Sequence, residues 1–250
     1  MITVCRSEER GHFRRGKEEC WLTFRPGSLA EGAAAGFGNL ELLNEERLAP
    51  GGSIAPQSPR LSEVLTFVRD GAITHDDSLG RSGVIRAGEF QRMIVARSSG
   101  SVHENASRTD GAHLFQAWLC PTQHGFGLPY EQKRFSTGDR RGVLCLVAAP
   151  DARRGSLRMQ ADAEVYSALL ALGQHLVHEL PERRCVWLHL VHGEVTLGNF
   201  VLATGDGAGI VAERAVSLTA RSDAELLLFD LVAGPATPSG NGASERGHGL

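Results

Sequence analysis

The residues best suited to chemistry in this 250-residue chain are histidines that lie beside carboxylates. His75 precedes Asp76 and Asp77, and His103 precedes Glu104. An imidazole titrates near neutral pH, so His75 with its two neighbouring aspartates could form a carboxylate-oriented base. A structural role is the competing interpretation of His75, since it lies where a predicted strand meets a turn.

Other histidines lie in predicted strands or beside their turns. His113 lies on the strand that leads to Trp118, where we expect it to hydrogen-bond within the fold. His189 and His192 flank a glycine turn, and we expect both at the surface or at a sheet edge. The TGDGAG segment at 204–209 resembles part of a phosphate-binding loop. Because no predicted helix follows to supply aligned amides, we interpret this segment as a turn.

Composition excludes several classes of protein. The hydrophobic and charged fractions, 42% and 22%, are typical of a globular protein and exclude collagen-like and coiled-coil chains. A net charge of -3 and a pI near 6.4 argue against direct nucleic-acid binding. Five scattered cysteines without a CxxC pair predict a reduced, cytoplasmic protein. No uncharged stretch reaches the ~20 residues of a membrane span, so we expect neither a signal peptide nor membrane contact.

The elements that position these side chains are predicted to be strands. The chain has 30 glycines, which recur between short apolar runs, as turns that need positive φ require. Only the composition of Ala163 to Leu172 favours a helix. The predicted strands cover residues 39–43, 64–68, 71–76, 89–96, 112–119, 143–148, 156–160, 186–191, 199–203, 209–212 and 225–230.

A loose internal repeat predicts two similar domains. TFVRDGAIT followed by RAGEFQRMIV in the first half matches HLVHGEVTL followed by ATGDGAGIV in the second. Each copy is a strand, a glycine turn and further strands, which indicates tandem β-barrels. We expect a first domain at residues 1–130, a second at 131–232, and a disordered Gly/Pro/Ser/Ala-rich tail at 233–250.

Motifs along nearly the whole chain carry a family resemblance. They lie at Trp21, Thr23, Phe24, Gly36, Phe37, Asn44, 65–80, 87–93, 113–119, 130–135, 149–166, 182–197 and 224–231. In this order they make the sequence similar to the pirin family of bicupins, which includes bacterial members with quercetin 2,3-dioxygenase-like activity. The resemblance implies an all-β fold of two tandem cupin (jelly-roll) barrels. It also implies an iron or related divalent metal in the first barrel, held by three histidines and one glutamate.

The first part of that metal site has no counterpart in this chain. The family's HPH triplet, which supplies two histidines, falls on Gln57, Ser58 and Pro59 when the alignment is counted back from Glu63. Proline has no donor atom, and a glutamine amide oxygen is a poor ligand for borderline metal ions.

The second part is reduced as well. Without gaps, the family's HSE triplet falls on Ser101, Val102 and His103, which places one imidazole at the glutamate position. A gapped alternative places His103 on the family histidine and Glu104 near its carboxylate. Since at most two ligands remain by either count, we predict a degenerate site with no metal and no other cofactor.

The same positions are expected to surround a pocket in the first barrel. If the protein is an enzyme without a metal, His103 is the candidate general acid or base, because its pKa is ordinarily near neutral. The alternative is that His103 only fills the vacated ligand space. The predicted pocket residues are Gln57, Pro59, Glu63, Ser101, His103 and Glu104.

Three functions remain open, and whether the chain is an enzyme is open with them. We favour a pocket that binds or transforms a flat aromatic small molecule without metal. The second is a transcriptional co-regulator or sensor-type interaction protein, a role the resemblance implies for some pirins. The third is a metal-dependent quercetin 2,3-dioxygenase-like oxygenase with ligands from unexpected positions. The oligomeric state is not predicted.

Overall fold

The chain folds into antiparallel strands in both halves, as its glycine-separated apolar runs predict. The structure, a computed structural model, describes residues 1–24, 36–55, 61–77, 82–95, 101–122 and 130–233. Strands make up 64% of it, which confirms the all-β prediction. Within those ranges the helical segments are one turn at Thr137–Arg140 (α1) and two short 3-10 turns, Ser7–Glu9 and Arg153–Gly155.

None of the helical segments described is long and apolar enough to cross a bilayer.

The strands of the first half include every element that forms the candidate site. They are Ile2–Cys5 (β1), Gly11–Arg15 (β2), Glu18–Leu22 (β3), Leu40–Leu48 (β4), Ser53–Ile54 (β5), Ser62–Asp70 (β6), Ala72–Asp77 (β7), Ser82–Arg86 (β8), Glu89–Val95 (β9), Ser101–Asn105 (β10), Ala112–Leu119 (β11) and Tyr130–Arg134 (β12).

The strands of the second half follow α1. They are Cys145–Ala149 (β13), Leu157–Arg158 (β14), Ala163–Leu170 (β15), His175–Glu179 (β16), Arg184–His192 (β17), Glu194–Leu197 (β18), Phe200–Ala203 (β19), Gly207–Val211 (β20), Ala215–Ala220 (β21) and Ala224–Val232 (β22).

Each half pairs a large sheet with a small one. In the first barrel, the sheet β12-β9-β6-β11-β4-β3-β2 packs against β5-β10-β7-β8; in the second, β1-β20-β17-β22-β15-β13-β14 packs against β16-β21-β18-β19. The described pairings are antiparallel except β13 with β14. Two tandem cupin barrels are therefore confirmed as the fold.

Strand exchange ties the first residues of the chain to the second barrel. β1 adds to the edge of β20, with Ile2 opposite Ile210, although residues 1–130 were expected to form the first domain. β12 begins at Tyr130 and pairs with β9 in the first barrel, so hydrogen bonding extends that barrel past residue 130. Of the predicted tail at 233–250, residues 234–250 lie outside the described residues, and the Ala233 N–H donates to the Arg183 carbonyl.

The one stretch predicted as helical is a strand. β15 lies between β22 and β13, and its residues alternate between two buried surfaces. Val165 packs in the core between the barrels, whereas Tyr166 and Ala168 pack inside the second barrel. Alanine-rich composition favours a helix only weakly, and burial on both faces of a central strand outweighs that preference.

The TGDGAG segment is a turn that leads into a strand. Gly205 has a φ of +87°, and β20 begins two residues later. Gly207 and Gly209 leave room for aromatic rings, because a Cβ at Gly207 would lie 2.4 Å from Trp187 Cζ2 and one at Gly209 would lie 2.6 Å from Phe37 Cε2. These glycines allow close packing against the sheet instead of binding a phosphate.

The two large sheets share an apolar core, which we call the inter-barrel core. Alternation along β11 sends Phe115, Ala117 and Leu119 into it, while Leu114 and Trp118 point into the first barrel. Its members are Phe24, Leu40, Leu43, Leu65, Phe67, Phe90, Phe115, Ala117, Leu119, Phe135, Val147, Ala148, Leu157, Met159, Ala161, Ala163, Val165, Cys185, Trp187, Val191, Leu227, Phe229 and Leu231.

A buried carboxylate beside that core forms hydrogen bonds that connect the two barrels. Glu63 on β6 is fully buried and accepts a hydrogen bond from Arg92 Nε at 2.5 Å. It also accepts the backbone N–H groups of Gln160, at 2.9 Å, and Ala161, at 2.7 Å, from the second half of the chain. Because a buried charge must be fully paired, this carboxylate constrains the approach of the segment before β15.

Replacing Glu63 by glutamine is expected to destabilise the fold. The amide keeps the shape but removes the charge that pairs with Arg92, so the free energy of unfolding should fall by about 3 to 5 kcal/mol. Urea unfolding measures this change. Glu194→Gln is the matched control, since Glu194 pairs with Arg221 at the surface and its loss should have little effect. Equal effects of the two substitutions would contradict the prediction.

Candidate functional site

A cavity of about 700 Å³ in the first barrel opens to the surface, where the exposed Phe13 and Arg15 line it. Its wall is formed by residues of β2, β3, β4 and β11, and Ser53 to Ala55 and Val102 also line it. The second barrel instead has an interior packed with leucine, valine, isoleucine and alanine side chains. The first barrel is therefore the candidate site for a small molecule.

Strand alternation decides which side chains line the cavity. Glu18, Cys20 and Leu22 are the inward-facing positions of β3. Leu42, Asn44 and Glu46 are those of β4, and Gln116 and Trp118 are those of β11. Because successive residues of a strand point to opposite faces, the residues between them face the other side of the sheet.

His103 lies behind the cavity wall and is fully buried. It is opposite His75 in the β10–β7 register, and its Nδ1 accepts a hydrogen bond from Gln116 Nε2 at 3.1 Å. Its Nε2 has no hydrogen-bond partner among the described residues. Burial, and then the nearby His75, lower the pKa of His103 to about 3. At neutral pH this imidazole is uncharged.

His75 is held by aromatic packing. It is buried, and its ring stacks on that of Tyr130 with centroids 4.7 Å apart. The Tyr130 hydroxyl donates to Gln132 Oε1 at 2.6 Å, which fixes the phenol ring. Asp76 is exposed on the other face of β7, and the side chain of Asp77 is outside the description. This packing favours the structural interpretation of His75.

The predicted pocket residues lie in different places. Gln57 and Pro59 fall outside the described residues, and Ser101 starts β10 but its side chain is not described. Glu104 is exposed, next to the buried His103. Glu63 lies on the face of β6 that turns away from the cavity, towards the second barrel. Among the predicted pocket residues whose side chains the structure describes, only His103 lies next to the cavity wall, through Gln116.

The polar residues of the wall were missed by reasoning from sequence. Glu46 is 4% exposed, and its Oε2 has no hydrogen-bond partner among the described residues. Burial, and then the charge of Glu18, raise the pKa of Glu46 to about 8. Asn44 Oδ1 and Trp118 Nε1 also have no partner in the described part of the chain. The available signal was that Asn44 and Glu46 alternate with the apolar Leu42 and Leu48 along one face of β4.

The residues at the family's metal positions do not fit the ligand set that the resemblance implies. Only His103 among them carries an imidazole, and its Nδ1 already accepts a hydrogen bond. In the described ranges, one group of three possible metal ligands converges, Glu18, Cys20 and Glu46, and His103 is not part of it. Positions 57, 59, 101 and 103 therefore do not supply the three histidines and one glutamate that the resemblance implies.

A second polar cluster lies between the barrels. Glu45 Oε2 accepts from Arg10 Nη1 at 2.7 Å, and Glu45 Oε1 lies 2.9 Å from His113 Nε2. Burial opposes ionisation of Glu45, but the hydrogen bonds from His113 and Arg10 lower its pKa to about 2. The expectation that His113 hydrogen-bonds within the fold is confirmed.

The expectation that His189 lies at the surface is wrong. His189 is fully buried on β17, with its ring 5.6 Å from that of Phe115 across the inter-barrel face. Burial, and then the charge of Arg10, lower its pKa to about 3. The second barrel's large sheet packs against the first barrel, so a position that looked like an edge is covered. His192, three residues on, is exposed as expected.

Comparisons with known proteins agree with this architecture. The pirin family pattern matches residues 18–119, and that of the quercetinase C-terminal cupin domain matches residues 146–231. Quercetin 2,3-dioxygenase of Escherichia coli (strain K12) is 36% identical over 231 residues, 92% of this chain and 99% of that protein. A pirin-like protein of Caulobacter vibrioides is 34% identical over 198 residues, 78% of this chain and 84% of its own.

Solved structures of bacterial pirins have the same fold as this chain. The crystal structure of YhhW from Escherichia coli superposes with a TM-score of 0.84 at 34% identity, covering 94% of this chain and 99% of that one. The bacterial pirin YhhW in complex with nickel(II) gives 0.82 at 35% identity, covering 94% and 100%. Fold and site thus define a double-barrel cupin protein. Within that class, the chain belongs to the pirin family.

Two buried histidines predict that the protein loses stability in acid. The folded state keeps His103 and His189 neutral, since both pKa values are lowered to about 3, whereas the unfolded chain takes up protons near the ordinary value of 6.5. The free energy of unfolding should therefore fall as the pH drops from 6.5 towards 3. The expected slope is about 1.4 kcal/mol per pH unit for each histidine, measured by urea unfolding at several pH values.

His189→Leu tests the source of this slope. Leucine fills a similar volume and does not titrate, so the variant should lose the share of the slope that His189 contributes. His12→Gln is the control, because His12 has an exposed side chain. A slope that is unchanged in His189→Leu would show that this histidine is not responsible.

Proposed function

We propose that this pirin-family protein binds, or transforms, a flat aromatic small molecule in the first-barrel cavity without the family's metal centre. The observation that carries the proposal is a cavity whose wall combines apolar side chains with buried polar atoms that have no protein partner in the described ranges, Asn44 Oδ1 and Trp118 Nε1. Buried polar atoms need partners, and a hydroxylated ligand can supply them.

The wall suits a planar ligand with hydroxyl groups. Leu22, Leu42 and the indole of Trp118 supply apolar surface, and an aromatic ring packs well against such groups. Trp118 Nε1–H can donate to a ligand oxygen, and Asn44 Oδ1 can accept from a ligand hydroxyl. Relatives named quercetin 2,3-dioxygenase support a flavonoid-type ligand.

The loss of the family's metal ligands is part of the proposal. It is supported by the residue types at positions 57, 59, 101 and 103, among which proline has no donor atom. Without an ion there, ring opening of a flavonol would lack the electrostatic stabilisation of the enolate and the place where dioxygen assembles.

We propose that His103 is a positioning residue, in place of the general acid or base considered from the sequence. Its lowered pKa makes it a weak base at neutral pH, and Gln116 stands between it and the ligand. We propose that it acts through that contact: His103 Nδ1 accepts one Gln116 N–H, which sets the direction of the amide that faces the cavity.

Filling the cavity is expected to abolish binding. Leu42→Trp places an indole in the space proposed for the ligand, so the affinity for quercetin should fall at least about 10-fold. Fluorescence or calorimetric titration measures it. Val177→Trp adds the same side chain at an exposed site of the second barrel and should leave binding unchanged. Equal affinity of Leu42→Trp and the unsubstituted protein would place the ligand elsewhere.

Oxidative turnover is expected to be slow or absent. Quercetin mixed with metal-stripped protein under air should show a spectral shift without loss of the flavonol absorbance. Fast loss with release of carbon monoxide would refute the proposal. If another aromatic substrate is turned over, full activity in His103→Ala would exclude a role for that histidine.

A further inference from the structure

We propose that Glu18, Cys20 and Glu46 bind one divalent first-row metal ion of the zinc type at the wall of the first-barrel cavity. This site is separate from the positions at which the family resemblance implies a metal. It goes beyond the proposed function, since it requires no aromatic ligand.

The two strands bring the three ligands together by register. Cys20 on β3 lies directly opposite Glu46 on β4. Glu18 precedes Cys20 by two residues, so both side chains lie on the cavity face of β3. One ligand atom from each of the three residues lies within 4.8 Å of the other two.

Burial and charge favour cation binding by this group, although Arg15 lies opposite Glu18 in the β2–β3 register. Cys20 is 1% exposed and Glu46 is 4% exposed. In the described part of the chain, no lysine or arginine nitrogen lies within ion-pair distance of the Glu18 or Glu46 carboxylate, whereas the neighbouring Glu45 pairs with Arg10. Glu46 lines the cavity and hydrogen-bonds with the Asn44 side chain, but its Oε2 has no hydrogen-bond partner among the described residues. A buried carboxylate oxygen without a partner destabilises the folded protein, and coordination of a metal ion is one way to pair it.

The donor set selects the kind of ion. A thiolate with two carboxylates suits zinc and related borderline ions, whereas calcium and magnesium prefer oxygen ligands alone. Tetrahedral zinc bonds of about 2.0 to 2.3 Å place ligand atoms roughly 3.3 to 3.6 Å apart. Side-chain movements of up to about 1.5 Å would therefore bring the three ligand atoms to bonding positions. The adjoining cavity gives access to a water molecule as the fourth ligand.

Cobalt(II) is the probe, because a thiolate bound to cobalt gives a charge-transfer band in the near ultraviolet. Chelator-treated full-length protein titrated with cobalt(II) should bind one ion per chain and develop this band. Cys20→Ser should lose the band. Glu46→Gln, which is nearly isosteric, should weaken binding at least about 10-fold and keeps the test valid if Cys20→Ser fails to fold. Zinc(II) added afterwards should displace cobalt and remove the band.

Matched controls separate this site from others. Glu19→Gln alters a carboxylate between two of the ligands that faces the opposite side of β3, and Cys145→Ser removes a half-buried thiol of the second barrel. Both should bind cobalt as the unsubstituted protein does. His103→Ala should also keep the band.

The proposal would be overturned by any of four results. These are no stoichiometric cobalt binding, a band that survives Cys20→Ser, equal losses in the control variants, or loss of binding in His103→Ala, which would put the ion at the family position. Failure of quercetin to bind would leave the cobalt result intact, so the two proposals fail separately.

Discussion

Packing between the two seven-stranded sheets is the interaction on which the rest of the structure depends. Phe67 and Phe115 from the first barrel and Trp187 and Phe229 from the second belong to one continuous apolar core. Burial of apolar surface is the main stabilising force in such a core. Exchange of β1 into the second barrel and the hydrogen bonds of Glu63 then fix how the sheets meet. Polar groups at this face must therefore be paired or remain neutral.

That constraint decides how the other faces of the strands are used. The central strands β6 and β11 are buried on both faces, with one face against the second barrel and the other inside the first. The second barrel fills its interior with apolar side chains, while the first keeps Asn44, Glu46 and Gln116 around a cavity. A common architecture thus gives one barrel with an apolar, filled interior and one barrel with a polar-lined cavity.

Burial also divides the titratable groups into different chemical roles. His103 and His189 are held neutral by desolvation, so neither is a strong base at neutral pH. Glu45 is kept ionised by Arg10 and His113, whereas Glu46, the next residue on the opposite face, lies without a described cation. The pKa values of these adjacent glutamates are therefore shifted in opposite directions, because each side chain faces a different environment. In this pirin-family chain, the carboxylates of Glu18 and Glu46 and the thiol of Cys20 are the reactive side chains that line the cavity.

The sequence by itself determined the all-β class, the two tandem barrels and many strands, because glycine spacing and apolar runs are local patterns. It also showed that positions 57 and 59 carry no histidine. Only the tertiary structure decided that Ala163–Leu170 is a strand, that His189 is buried, and that Glu63 faces the second barrel. The convergence of Cys20 with Glu46 was equally hidden. These outcomes depend on strand register and on what covers each face, which are set by contacts between residues far apart in the chain.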